Sequence, residues 1–287
     1  MSTIATIERP RFLVGWRILS YAFLIFLSAL CIFPFLILII NATRMNSDIQ
    51  KGFSIIPGSA FMQNLSGLLK DPNIPVVRAL ANSVLISTCC AALTTYFSSM
   101  TAYGIYMYRF KGRNFAFNFI MIVMMVPTQV SALGFIKMII DASLLDSFLP
   151  LIIPAIASPI VFFFMLEYMK SVLPFEIVES SRIDGAHEFR TFNSIVMPIL
   201  SPAIAVQAIF SFVTNWNNYF LPALLLNSKE KRTIPIIIAQ LRSADYLKFD
   251  MGKVYIMICI AIVPLVIIYL LLSRFIIRGV TMGSVKG

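Results

Sequence analysis

Residues Glu179–Pro198 read ESSRIDGAHEFRTFNSIVMP, a charged island between two apolar runs of membrane length. Most of the chain is greasy enough to sit in lipid, so this stretch is the one expected in water. It is also patterned. Ile183, Ala186, Phe189 and Phe192 recur every three residues and Val196 follows four later, close to helical spacing. Gly185 after Asp184 supplies a bend between two short helical pieces. A short helix–turn–helix with an apolar stripe, held at a membrane surface, needs something to bury the stripe. The chain's own helices, the lipid headgroups and a partner protein all remain open on pattern alone.

Composition points the same way. Hydrophobic residues make up 59% of the 287 residues and charged residues 13%, and the mean hydropathy is +0.87. Soluble domains carry roughly 25% charged residues, so in water this chain would have a very apolar surface. An all-α membrane protein resolves that. Six runs are long enough to span: Ile18–Ile40, Leu80–Met107, Phe115–Phe135, Phe148–Tyr168, Ile199–Leu226 and Val254–Ile277. Pro127 and Gln129 interrupt the third. The fifth carries Gln207, Asn215, Asn217 and Asn218, whose side chains should point into the bundle or a cavity.

The expected organisation is an N-terminal segment 1–17, a first span 18–41, an outer loop 42–79, a core 80–278 containing the island within 169–198, and a tail 279–287. An even span count puts both ends on one side. Lys and Arg divide almost evenly between the sides, but RFKGR (Arg109–Arg113) concentrates cations in one short loop, which favours both ends inside. The apolar run after the basic N-terminus is too long for a signal peptide and no small-residue cleavage site follows, so the first span is expected to stay as an anchor. The loops 42–78 and 227–252 fall outside, and their Gly and Pro content suits short turns.

The four cysteines, Cys31, Cys89, Cys90 and Cys259, all fall in expected spans and read as small apolar filler. His187 is the lone histidine. No paired metal spacing, nucleophile elbow or phosphate-cradling loop is present, so the chain shows no means of hydrolysing a nucleotide. The net charge of +10 is scattered in short loops beside the spans, which fits headgroup attraction better than nucleic acid.

The island closely resembles the EAA loop of bacterial ABC-importer permeases. Glu179-Ser180-Ser181, three residues, Gly185, nine residues and Ile195-Val196-Met197-Pro198 keep the family spacing, with Ser for both alanines and Met for leucine. Asp184-Gly185-Ala186 matches the form common among carbohydrate importers. RFKGRN, NWNNYFLPALLL (Asn215–Leu226) and GVTMGSVKG (Gly279–Gly287) also resemble the second, smaller permease of maltose-type systems.

That resemblance implies a MetI-like type I permease fold and a heterodimer with a second permease subunit. It implies two copies of a cytoplasmic ABC ATPase, which would carry ATP and Mg, an extracytoplasmic substrate-binding protein, and a sugar substrate. No cofactor or metal is expected in this chain and no nucleic acid among its partners. The location implied is the bacterial inner membrane, multi-pass, with both termini and the island cytoplasmic.

Glu179, Ser180, Ser181, Ile183, Asp184, Gly185, Ala186, Phe189, Ile195 and Pro198 would form the ATPase-coupling surface, burying Ile183, Ala186, Phe189 and also Phe192. The tail is expected to contact the ATPase pair as well. Gln129, Asn215, Trp216, Asn217, Asn218 and Tyr219 are candidates for a sugar pathway, since amides bond hydroxyls and aromatic faces meet sugar C–H surfaces. An outer aromatic belt with asparagines bonding between helices would use the same residues. Two other classes stay in view. An ion-coupled secondary transporter needs buried carboxylates that the spans almost entirely lack. A polytopic membrane enzyme needs a catalytic constellation that is not found.

Overall fold

The computed structural model describes residues 11–243 and 250–283, all helix, turn and loop. In chain order the helices are α1 (Arg11–Ala42), α2 (Asn46–Gln50), α3 (Phe61–Leu69), α4 (Val76–Met107), α5 (Arg113–Met124), α6 (Thr128–Asp141), α7 (Leu149–Ile152) and α8 (Pro159–Val172). They continue as α9 (Phe175–Ile183), α10 (Glu188–Thr191), α11 (Met197–Ile199), α12 (Ser201–Trp216), α13 (Phe220–Leu225), α14 (Ile234–Ser243) and α15 (Met251–Gly283). Residues 1–10, 244–249 and 284–287, which include most of the expected N-terminal segment and part of the expected tail, lie outside the described residues.

Four segments are long and apolar enough to cross a membrane: Trp16–Ala42, Val76–Met107, Leu149–Val172 and Met251–Ser273. Two bent pairs bring the number to six if each is one span. The expected third span, Phe115–Phe135, is one of these pairs. It turns by 100° between α5 and α6. Pro127 has no N–H to continue the helix and biases Val126 toward extended backbone. The expected fifth span starts at another bend, of 82°, where α12 leaves the island near Leu200. It also ends early, because α12 stops at Trp216 and a separate α13 follows. The outer loop before α4 is more ordered than its Gly and Pro suggested. It contains α3, which packs on α15.

The organising element is α4, which packs against both α8 and α12. Its inward face is small and hydroxylated: Ser83, Ser87, Thr94, Thr95, Ser98 and Ser99 are all buried. Small residues let helix backbones approach, and in lipid an unpaired hydroxyl is costly; all of these but Ser87 have an internal partner. Thr95 and Ser99 return to the carbonyls of Ala91 and Thr95, at 2.8 and 2.6 Å. Thr94 Oγ1 donates to the carbonyl of Ala155 at 2.8 Å. That carbonyl belongs to the 3-10 turn Ile153–Ile156, which lies between Pro150 and Pro159. A hydroxyl on α4 therefore supports the fourth span where its helical ladder is interrupted. All four cysteines are free thiols.

Two apolar cores sit at opposite ends of α4. One gathers Tyr103, Met165, Met169, Val178, Phe192 and Val196. The other gathers Ala79, Leu68, Trp216, Ile237, Ile256 and Met257. At 1.5 Å per residue, Ala79 and Tyr103 stand about 36 Å apart along the axis, roughly the hydrocarbon thickness of a bilayer.

Candidate functional site

The island folds as two short helices over the first core. Helix α9 stops at Asp184, and Gly185 takes φ +79°. The N–H of Gly185 bonds the carbonyl of Arg182 and that of Ala186 bonds the carbonyl of Ser181, both at 3.0 Å. That pair of bonds is a Schellman ending, and the left-handed residue it needs is glycine by preference. The chain then re-enters helix at α10.

Two contacts hold the pieces at a fixed angle. Ser181 and Thr191, both buried, share a hydroxyl–hydroxyl bond of 3.1 Å across the bend. Arg182 Nε donates to Glu188 Oε1 at 2.6 Å. The same carboxylate accepts the Tyr103 hydroxyl at its other oxygen, 2.9 Å away. Arg182 lies 5.4 Å from the centre of the Tyr108 ring, a cation–π distance. Tyr108 meets Tyr103 edge-on at 6.1 Å.

The apolar stripe divides in two. Phe192 and Val196 are 2% and 0% exposed and belong to the core. Phe192 therefore leaves the expected docking surface, because its ring is held against Tyr103 and Tyr96 at 5.5 and 5.8 Å. Ile183 and Phe189 point the other way and are 86% and 69% exposed. Ala186 is half-buried between them, and Glu179, Ser180 and Asp184 are exposed, whereas Ser181 is packed inside. Beyond them the backbone widens into a π-turn over Phe192–Val196. It includes Ile195, half-buried, and lies just before the exposed Pro198, which has no N–H to return to Ser194. Single π-turns of this kind recur at functional sites.

The expected pathway residues do not gather. Trp216 is 2% exposed and stacks on Phe212 at 5.6 Å. Asn215 and Asn217 bond the carbonyls of Ser211 and Val213, one turn back on their own helix, at 2.8 and 2.9 Å. Asn218 is half-buried just past the end of α12, and Gln129 is exposed on α6. Tyr219 lines a cavity of about 350 Å³. Tyr103, Tyr108 and Glu188 were not singled out from sequence. Arg182 and Glu188, opposite charges six positions apart astride the glycine turn, were the available signal.

Residues 94–282 match the family described as binding-protein-dependent transport system inner membrane component. The chain belongs to that family. This permease is 34% identical over 284 residues to the arabinooligosaccharides transport system permease protein AraQ of Bacillus subtilis, covering 97% of this chain and 98% of that protein. It is 30% identical over 269 residues to the lactose transport system permease protein LacG of Rhizobium radiobacter, covering 94% and 96%. Its fold is that of a chain in a bacterial ABC transporter involved in import of the acidic polysaccharide alginate. The TM-score there is 0.80 at 19% identity, over 94% of this permease and 99% of that chain. Membership of this family sets aside the ion-coupled secondary transporter.

Proposed function

We propose that this permease is one of two membrane subunits of an ATP-driven importer of sugars, oligosaccharides first. A second permease completes the translocation pathway, two copies of a cytoplasmic ABC ATPase supply the energy, and an extracytoplasmic binding protein delivers the substrate. The island and both chain ends are cytoplasmic. The observation that carries this reading is the exposed pair Ile183 and Phe189 on a rigid, ion-paired island. Two large apolar side chains in water beside free carboxylates suit a groove on a partner protein. Closure of the ATPase pair would move the island, and the island is fastened to α4. The saccharide class is supported by the relatives, whose names include arabinooligosaccharides, lactose and trehalose/maltose.

The test is a mild-detergent pull-down of the tagged chain from its native host, with mass spectrometry of what accompanies it. A nucleotide-binding ATPase and a second multi-span permease are the expected companions. Recovery of this chain alone, stable and monodisperse, would overturn the assembly.

A further inference from the structure

The end of α4 away from the island carries a second site. The cavity of about 350 Å³ lies between α13 and α14, with Leu226 and Ile236 in its wall and Tyr219, Asn227, Arg232 and Gln240 as its polar and aromatic lining. Its size suits a single sugar unit, at the small end of ligand pockets. An aromatic ring, two amides and a guanidinium converge there.

Arg232 is the informative member. It follows two other cations in the run Lys229-Glu230-Lys231-Arg232, and those two have partners elsewhere. Lys231 pairs with Asp146 at 3.4 Å. Lys229 Nζ donates to the side-chain oxygen of Asn73 at 2.9 Å. Arg232 has no carboxylate within ion-pair distance among the described residues. Among the described residues its side chain bonds Gln240, from Nη1 to the neutral acceptor Oε1 at 3.1 Å. A guanidinium has five N–H donors in a planar fork, so most of that fork remains for a ligand.

The residue is also held in place from below. Its carbonyl accepts Asn82 Nδ2 at 3.0 Å, and the N–H of Ile234, two residues on, donates to the buried Ser83 Oγ at 2.9 Å. Both anchors stand on α4. A cation whose backbone is fixed on a rigid helix, facing a cavity with no counter-charge among the described lining residues, is pre-organised for an anion.

We infer that this cavity is a subsite for an anionic sugar unit, with Arg232 taking its carboxylate or phosphate, Asn227 and Gln240 its hydroxyls, and Tyr219 its C–H face. The inference rests on the sugar-importer reading and names the charge of the cargo. Such a site selects at the membrane subunit, after the binding protein has released its load.

The transporter is reconstituted with its partner subunits and binding protein. Uptake and probe-stimulated ATPase are measured for digalacturonate, for sn-glycerol 3-phosphate and for neutral lactose. Wild type is compared with Arg232→Gln and Arg232→Lys. The expected result is uptake of one anionic probe, which identifies carboxylate or phosphate. Arg232→Gln should cut that uptake at least ~10-fold, the scale of a lost charge-assisted bond, and Arg232→Lys should restore part of it. Copurification of the ATPase with each variant checks folding. Uptake of lactose alone, or an anionic probe carried equally well by Arg232→Gln, overturns the anionic subsite and leaves the sugar importer standing. No response to any of the three also overturns the anionic subsite, and the importer reading then stands or falls with the pull-down.

Discussion

The hydroxyl of Tyr103, in the last turns of α4, donates to Oε2 of Glu188 at 2.9 Å, while Oε1 of the same carboxylate holds Arg182 at 2.6 Å. One carboxylate therefore ties both halves of the island to α4, the organising helix of the core. The Arg182–Glu188 pair is partly exposed, so water screens it to about 0.2–1 kcal/mol, and the Tyr103 bond to the same carboxylate adds roughly 1–2 kcal/mol. A load applied to the island reaches α4 through these bonds and through the Phe192 ring packed behind them.

Tyr103→Phe keeps the ring and removes only the bond. The variant should insert, fold and retain its ATPase partner. It should import several-fold less substrate per ATP hydrolysed, because the island can shift without carrying α4. Uptake and phosphate release measured on the same proteoliposomes check this. An unchanged ratio would remove the joint from the coupling path.

Ile183→Asp and Phe189→Asp act at the other face. Both side chains are mostly in water, so neither change should cost the isolated chain more than about 0.5 kcal/mol, the usual range for surface substitutions. Each should nonetheless abolish ATPase copurification, since a charge would be forced into an apolar contact. Detergent-solubilised thermal stability, read beside the pull-down, separates the two effects. A drop in stability that matched the loss of partner would point to misfolding instead of docking.

How far the sequence reached depended on what kind of force shaped each element. The island was legible because its pattern is local: glycine for a left-handed residue, opposite charges around it, an apolar period near the helical one. The division of its stripe was not. Phe189 and Phe192 have the same chemistry, and only the position of Tyr96 and Tyr103 on a helix nearly a hundred residues earlier decides which is covered. The third span bends at Pro127, the interruption that the sequence marks, but hydropathy counts only length and the size of the bend depends on one missing N–H. Trp216 and the asparagines read as pathway residues because they are polar or aromatic in an apolar run. In the fold Trp216 packs into the core and Asn215 and Asn217 bond carbonyls of their own helix, which sequence pattern could not show. Arg232 had no signal at all. It is one cation in a loop of several, and only the partners of its neighbours distinguish it.

Gly185 offers a separation of conformation from contact. A Cβ built there meets nothing within 4 Å, yet the backbone has φ +79°. Substitution therefore costs conformational energy alone, roughly 1–2 kcal/mol for an ordinary L-residue. Gly185→Asn should be nearly neutral, because Asn visits the left-handed region, while Gly185→Val should loosen the bend and reduce coupled ATPase activity several-fold. The order Gly, Asn, Val in substrate-stimulated ATPase is the expected readout. Equal activity for Asn and Val would show that the turn is not under this constraint.

Asp146 joins the α6–α7 connection to the loop after α13. Its carboxylate accepts the Ser228 hydroxyl and also the backbone N–H groups of Ser228 and Asn227, the latter two at 3.0 Å. The hydroxyl and backbone bonds from Ser228 lead in holding its pKa down, to about 2, with Asn227 and Lys231 adding to them against the cost of burial. An unfolded aspartate titrates near 3.9. A carboxyl depressed in the folded state stabilises the joint fully above about pH 4, and that contribution is lost as pH falls through about 2. Pepsin, active across this range, should leave the 226–232 loop intact near pH 4 and cut it progressively faster toward pH 2. Asp146→Asn has no carboxylate to titrate and cannot accept at both positions, so its loop should be cut at a rate nearly independent of pH, already fast at pH 4. A wild-type profile as flat as that of Asp146→Asn would mean that the carboxylate does not fasten the loop.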